Sequence, residues 1–295
     1  IRDVTGTRKY RKNILQMLEN SNIDVYCPIL NNTIELSSDL SATIDWVDQS
    51  KFDGIELPVV MNTCNFPPPN EDGISLLSFE QVETLFHEFG HALHGLLSDV
   101  NYPSLSGTSV KRDYVEFPSQ MMENWAIQPE VLASYAKHYQ TNEIIPQELI
   151  KKITNAAKFN QGFATTEYVA ASYLDMAWHM EEQQIEDANR FEQETLNELG
   201  LISQIATRYR STYFSHIFAG GYSMGYYSYL WTEVLEADAF VPFSEKGIFH
   251  KETADKLKKY VYSSGNSDDL MTQYIRYRGS EPNIEALLKK RGFDE

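Results

Sequence analysis

The sequence predicts a mainly α-helical fold with one small β-sheet near the start of the helical part. From Ser78 onward, apolar residues recur at the three- and four-residue spacing of helices. Before that point, residues 55–61 are rich in strand-forming side chains, and Pro67–Pro69 separate this stretch from the helices. A length of 295 residues and a hydrophobic content of 42% allow a sizeable core.

The composition excludes several classes of function. With 25 basic and 42 acidic residues the formal net charge is −17, which excludes a general nucleic-acid binder because phosphate contacts need clustered Lys and Arg. No run approaches 18 apolar residues, so no membrane span is predicted. The two cysteines, Cys27 and Cys64, argue against a disulfide framework and favour a reducing, cytoplasmic location.

The predicted elements begin with residues 1–50, an unassigned N-terminal segment in which Tyr10–Leu18 has the pattern of a short helix. Residues 51–295 are assigned to a single domain. Its first element is a strand over residues 55–61, which Pro58 confines to a sheet edge or to a strand start, since proline lacks an N–H to donate.

The longest predicted helix follows Ser78. Ser78 and Gln81 have the spacing of a capping box, and an apolar stripe runs from Val82 to Leu97. The acidic stretch Glu181–Glu198 is predicted to be a solvated surface segment. Further helices are predicted over Tyr114–Ala126, Pro129–Tyr139, Pro146–Phe159, Thr165–Glu182, Tyr226–Ala239, Glu252–Tyr262, Asp268–Tyr277 and Asn283–Arg291.

Three residues in the middle of the helix that follows Ser78 have the pattern of a metal site. His87 and His91 are four residues apart, so both imidazoles lie on one helix face and can bind one ion. Glu88 follows the first histidine, at the position of the general base in zinc peptidases with a His-Glu-x-x-His motif. His94 is out of this register and is interpreted as a polar neighbour. Chance placement of two histidines on an amphipathic helix is the alternative, and the well-capped helix makes it the weaker one.

A catalytic zinc takes three protein ligands and keeps one position open, so a third ligand must come from elsewhere in the chain. The candidates downstream are the carboxylates of Asp113, Glu116 and Glu123. Glu116 and Glu123 are two helical turns apart and share a face, so either could be the ligand and the other its hydrogen-bonding neighbour. Spacing alone leaves the choice open.

Two longer patterns extend beyond this motif: His87–His94 followed by Tyr114–Gln120, and Phe214–Tyr222 followed by Tyr226–Trp231. They resemble two signatures of the thimet oligopeptidase, oligopeptidase A and peptidyl-dipeptidase family of zinc peptidases. The resemblance implies a zincin-like helical catalytic domain that binds one Zn²⁺ per chain, with Glu116 as the third ligand. Family members are considerably longer than this chain, so the remaining portion of a longer enzyme is an expected partner.

By the same resemblance, the second signature supplies contacts to a bound peptide. His216, Tyr222 and Tyr229 are expected to stabilise the negative charge that develops on the carbonyl oxygen, and Tyr226 is expected to contact substrate. The pair Gly220-Gly221 allows this loop to hinge. The alternative interpretation is that the tyrosines simply pack in a helix.

The predicted function is zinc-dependent hydrolysis of short peptides with release of C-terminal dipeptides. The spacing between His216 and Tyr222 matches the peptidyl-dipeptidase pattern and is one residue longer than in thimet oligopeptidase. Arg210, with Arg208 as an alternative, is predicted to bind a substrate carboxylate. An endo-acting oligopeptidase of the same family is the alternative activity. An incomplete catalytic fragment that only binds peptides is a further alternative, which the intact Glu88 disfavours.

Overall fold

The computed structural model describes residues 42–71 and 73–293, and it confirms the mainly helical prediction. The predicted helix Tyr10–Leu18 and Cys27 lie outside the described residues. Within the described ranges, a two-stranded sheet is followed by eleven α-helices. These are α1 (Phe79–Leu96), α2 (Arg112–Ala126), α3 (Pro129–Tyr135), α4 (Gln147–Ala157), α5 (Gln161–Met180), α6 (Ala188–Glu198), α7 (Ser215–Phe218), α8 (Ser228–Lys246), α9 (Lys251–Leu257), α10 (Leu270–Arg278) and α11 (Glu285–Arg291).

The small sheet pairs β1 (Ala42–Val47) with β2 (Val59–Thr63) in antiparallel register, with an irregularity between Asp45 and Val47. Strand β2 begins directly after Pro58, the boundary at which a residue without an N–H is tolerated. The predicted strand over residues 55–61 therefore overlaps β2 only at residues 59–61, and Pro58 lies just before the strand and not within it. Strand β1 has no counterpart in the sequence-based prediction.

Helix α1 has the predicted N-terminus. The Ser78 hydroxyl accepts a hydrogen bond from the Gln81 backbone N–H, and the Gln81 side chain accepts one from the Ser78 N–H. These bonds satisfy two of the donors that a helix leaves unpaired at its first turn. The cap therefore fixes where α1 begins.

The acidic stretch Glu181–Glu198 is mostly exposed, as predicted, with Glu192 and Leu196 as buried exceptions in its second half. Residues 188–198 form helix α6, whose N-cap Asp187 accepts hydrogen bonds from two backbone N–H groups. Within α6, Glu192 and Leu196 are buried. The sequence did not indicate the burial of Glu192, because one buried carboxylate looks like its solvated neighbours in the sequence.

The chain divides into two compact units. In the first, the Trp125 ring packs against Phe240 and Phe243, and its indole N–H donates to the Ile248 carbonyl oxygen at 3.1 Å. In the second, a cluster of buried side chains centres on Phe214. None of the helices in the described residues has both the length and the apolar character to cross a membrane. Among the described residues, the first unit comprises residues 42–71, 73–110, 118–146 and 239–281, and the second comprises residues 111–117, 147–238 and 282–293.

Candidate metal centre

Helices α1 and α2 bring three potential metal ligands together. Ligand atoms of His87, His91 and Glu116 all lie within 4.8 Å of one another. The two histidines come from one face of α1, as their spacing predicts, and Glu116 is a buried residue of α2. Two imidazole nitrogens and one carboxylate are a donor set typical of metal sites that keep a position open for chemistry.

Glu123, the other candidate carboxylate on α2, lies outside this group and contacts one of its members, His87. Its Oε1 lies 2.6 Å from Nδ1 of His87. A carboxylate on one ring nitrogen fixes the orientation of the imidazole and leaves the other nitrogen for a metal. Spacing left Glu116 and Glu123 as alternatives. In the structure Glu116 lies in the group of candidate ligands, and Glu123 contacts His87.

Helices α1 and α2 approach each other closely at Gly90. A Cβ atom at Gly90 would lie 2.6 Å from the Ser119 Cα and 2.7 Å from the Pro118 carbonyl oxygen. Both contacts are with backbone atoms, which cannot rotate away as a side chain can. Gly90 lies between His87 and His91, so only glycine allows α1 and α2 to pack at the observed distance.

We therefore expect Gly90→Ala to reduce bound metal and to lower the free energy of unfolding, by about 1–3 kcal/mol for an overpacked contact. Gly162→Ala is the matched control, because Gly162 lies in helix α5 with no atom within 4 Å of the added Cβ. There, alanine should stabilise by about 0.5–1 kcal/mol. Metal analysis and thermal unfolding of both variants check this, and an equal response at the two positions would contradict it.

Strand β1 contacts the candidate general base. Glu88 is buried, and the Thr43 hydroxyl lies 2.9 Å from both its Oε2 and its backbone carbonyl oxygen. The same hydroxyl lies 2.7 Å from Oδ1 of Asn62, so its single proton goes to one of three acceptors at a time. Donation to Oε2 would orient the carboxylate of Glu88. No local sequence pattern links Thr43 to a helix that starts 36 residues later, so this contact is not predictable from spacing.

Two tyrosines of the second signature contact the candidate metal ligand Glu116. The Tyr222 hydroxyl donates to Oε1 of Glu116, and the side chains of Tyr222 and Tyr229 are hydrogen-bonded to each other. Their rings stack at a centroid distance of 5.0 Å, and the Arg112 guanidinium lies 4.5 Å above the Tyr222 ring. Burial, and then the charge of Glu116, raises the pKa of both phenols. Both side chains are therefore O–H donors at neutral pH.

His216 lies beside the same tyrosines, with ring centroids 6.3 Å from Tyr222 and 6.4 Å from Tyr229. Burial lowers the pKa of His216, the charge of Arg208 lowers it further, and Glu116 acts in the opposite direction. The imidazole is therefore neutral at neutral pH and carries one N–H. Its buried Nδ1 has no hydrogen-bond partner within the part of the chain that the structure describes.

Tyr226 and Arg210, the predicted substrate contacts, both have other contacts in this structure. Tyr226 is 2% exposed and packs with Phe214 in the core of its unit. The Arg210 guanidinium donates to the buried Glu192 carboxylate at 2.6 Å. Arg208 has no carboxylate within ion-pair distance among the described residues. The substrate-binding roles of Tyr226 and Arg210 stay predictions.

His94 completes the polar residues of α1. It is fully buried, its ring lies edge-on to Tyr262, and the two ring nitrogens have no hydrogen-bond partner in the described ranges. Burial, with a further contribution from His91, lowers the pKa of His94 to about 3. It lies outside the ligand group, in agreement with the interpretation of this residue as a neighbour.

Comparison with known proteins identifies one family. Residues 32–293 match peptidase family M3. The chain is 43% identical over 253 residues to the dipeptidyl carboxypeptidase of Escherichia coli (strain K12), an alignment that covers 85% of this chain and 37% of that protein. It is 40% identical over 258 residues to oligopeptidase A of the same organism, which covers 84% of this chain and 38% of that protein.

A plant relative gives the same picture. The chain is 36% identical over 249 residues to the probable cytosolic oligopeptidase A of Arabidopsis thaliana, an alignment that covers 82% of this chain and 36% of that protein. The chain thus spans less than two-fifths of the length of these curated relatives. The region matched nevertheless contains each of the site residues described above.

Proposed function

Because the chain belongs to peptidase family M3, we propose that it is a zinc-dependent peptidase that releases dipeptides from the C-terminus of short peptides. The observation that carries the proposal is the grouping of His87, His91 and Glu116. Glu88 lies on the same helix turn, buried and hydrogen-bonded to Thr43. The first signature therefore supplies both a metal site and a proton acceptor.

Zinc fits the donor set of this group. Zinc is bound by neutral imidazole and by carboxylate, and its catalytic sites use three such protein ligands. The buried carboxylate of Glu116 and the Glu123–His87 hydrogen bond provide the ligand and the supporting contact that such sites have. Bound here, zinc would lower the pKa of water and polarise the scissile carbonyl.

Glu88 has the role of the general base and acid. Its carboxylate would take a proton from the attacking water and return it to the nitrogen of the leaving amine. For that, one carboxylate oxygen must point at the reacting atoms, and the Thr43 hydroxyl at 2.9 Å from Oε2 supports a fixed orientation. The C–N bond breaks with the proton on the amine, so no other acid is needed.

Tyr222, Tyr229 and His216 would stabilise the charge that develops on the carbonyl oxygen. Each can donate a hydrogen bond at neutral pH, because the two phenols stay protonated and the imidazole keeps one N–H. In the present structure the Tyr222 hydroxyl donates to Glu116. On binding of substrate, the Tyr222 hydroxyl would therefore leave Glu116 and donate to the substrate carbonyl oxygen. Tyr226 is buried, so it would contact substrate only if the segment that carries it moved.

The exo-acting mode needs a group that recognises the C-terminal carboxylate of a peptide. Arg208 is the better candidate, because the carboxylate of Glu192 already accepts from Arg210. The Arg208 guanidinium lies 5.8 Å from the centre of the Tyr209 ring, and that ring lies 5.0 Å from His216. A charged guanidinium close to the oxyanion donors could bind a carboxylate two residues after the scissile bond.

The function is tested by metal analysis and by mass spectrometry of the products from one short peptide, supplied as the free acid and as the C-terminal amide. We expect about one zinc per chain, the number for a three-ligand site, and dipeptide release from the free acid. Internal fragments from both peptides would identify the endo-acting alternative. Bound zinc and bound peptide without any cleavage would identify a peptide-binding module.

Arg208→Met should remove the preference for the free acid. A hydrogen bond to a charged group contributes about 1.5–3 kcal/mol, so kcat/KM for the free acid should fall by about 10- to 100-fold while that for the amide stays nearly constant. Arg210→Met is the comparison. If Arg210→Met rather than Arg208→Met equalises the two peptides, the carboxylate is bound by Arg210.

The location that fits this proposal is the cytoplasm. The chain has only two cysteines, which fits a protein of a reducing compartment. Fractionation of cells that produce the native protein would test this location directly.

A further inference from the structure

The segment Ser211–Tyr226, which we call the tyrosine loop, carries His216, Tyr222 and Tyr226 but has little regular structure. A 3₁₀ turn at its start and the single turn α7 are its helical parts. Two of its residues, Gly221 and Met224, have positive φ angles of 77° and 55°. Irregular backbone leaves N–H groups that need partners from elsewhere in the fold.

A buried carboxylate meets the start of this loop. Glu192 on helix α6 is 3% exposed. Its Oε2 accepts from the backbone N–H of Ser211 at 2.8 Å and from the Ser211 hydroxyl at 2.9 Å, while Oε1 accepts from Arg210. Glu192 thus binds the backbone at the residue where the loop begins.

A second buried carboxylate meets the end of the loop. Asp175 on helix α5 is 1% exposed. Its Oδ1 accepts from the N–H of Met224 at 3.0 Å, and its Oδ2 accepts from the N–H of Tyr226 at 2.9 Å. His179, one turn later on α5, places Nδ1 2.9 Å from the same Oδ1. The two bonds hold Met224, a non-glycine residue with positive φ, in a conformation that is unfavourable by itself.

We propose that Asp175 and Glu192 are positioning residues that hold the two ends of the tyrosine loop, and so keep the Tyr222 side chain close to Glu116, where its hydroxyl can turn to a bound substrate. Met224 is two residues from Tyr222, whose hydroxyl donates to Glu116. Carboxylate bonds to N–H groups are about twice as strong as neutral ones, and they are strongest where water is excluded. The proposed peptidase function is needed only for the kinetic part of the test.

Both oxygens of Asp175 are needed, which makes an isosteric variant informative. Asparagine keeps the size of the side chain but has only one acceptor oxygen, so its NH₂ group would face one of the two loop N–H groups. The apolar cluster of Phe214, Ile217 and Tyr226 still anchors the loop in that variant. We therefore expect a shifted loop in a folded protein, with zinc bound.

The experiment compares Asp175→Asn and Glu192→Gln with Glu236→Gln. Glu236 is a matched control because it is also a carboxylate, 1% exposed, on a helix of the same unit, and it pairs with Lys290. The two loop variants should lower kcat by about 10- to 100-fold with KM little changed, since misplaced donors act on the transition state. Glu236→Gln should lower the melting temperature but leave kcat of the folded enzyme unchanged.

Hydrogen–deuterium exchange separates this inference from the proposed function. Amides of residues 211–226 should exchange faster in Asp175→Asn than in Glu236→Gln. If Asp175→Asn does not fold, Glu192→Gln takes its place in this comparison. That result supports the positioning role of Asp175 and Glu192 even if the protein cleaves no peptide. Unchanged exchange in the loop, or a loss of kcat no greater than in Glu236→Gln, would overturn it.

Discussion

Glu88→Gln is expected to lower kcat by about 10²- to 10⁴-fold, the usual contribution of a general base, while the metal stays bound. Glutamine has the size of glutamate and keeps one oxygen that can accept from the Thr43 hydroxyl. It cannot take a proton at neutral pH. Glu88 is also outside the group of ligand atoms, so its replacement leaves His87, His91 and Glu116 in place.

The measurement is steady-state cleavage of a short peptide together with the zinc content of the same sample. Thr43→Val is the matched control, because it removes the hydroxyl that orients Glu88 and leaves the carboxylate itself. We expect a smaller loss of kcat for Thr43→Val than for Glu88→Gln. Full activity of zinc-loaded Glu88→Gln would remove Glu88 from the mechanism.

The parts of this site that the sequence predicts are those that depend on local spacing. His87 and His91 share a face because a helix repeats every 3.6 residues, and the Ser78 cap fixes where that helix begins. Spacing alone narrowed the third candidate ligand only to Glu116 or Glu123. The resemblance to a peptidase family implied Glu116, and the structure places it with the two histidines.

The parts that the sequence does not predict depend on contacts between distant segments. Thr43 lies on a strand that the pattern did not indicate, 45 residues before Glu88. Asp175 and Glu192 are single carboxylates in helices, and their roles appear only where the fold brings the tyrosine loop to them. The sequence does not distinguish a buried Asp or Glu from a solvated one, so burial has to be observed in the structure.

The largest effect on metal binding is expected for Glu116→Ala. Removing one of three ligands takes away a bond to the metal, and it also removes the acceptor of the Tyr222 hydroxyl. Glu123→Gln changes only the partner of His87, and contacts of that kind typically contribute 10- to 100-fold in metal affinity. The affinity of Glu116→Ala for zinc should therefore fall well beyond that of Glu123→Gln.

Competition with a chelator of known affinity measures this difference, with Tyr222→Phe as the second control. Tyr222→Phe removes the hydroxyl on Glu116 and leaves all three ligands, so its zinc affinity should change by no more than about 10- to 100-fold. If Glu116→Ala and Glu123→Gln lose zinc to the same extent, the two carboxylates share the metal. If Glu123→Gln loses more, the third ligand is Glu123, and the hydrogen bond from Tyr222 marks Glu116 as the supporting residue.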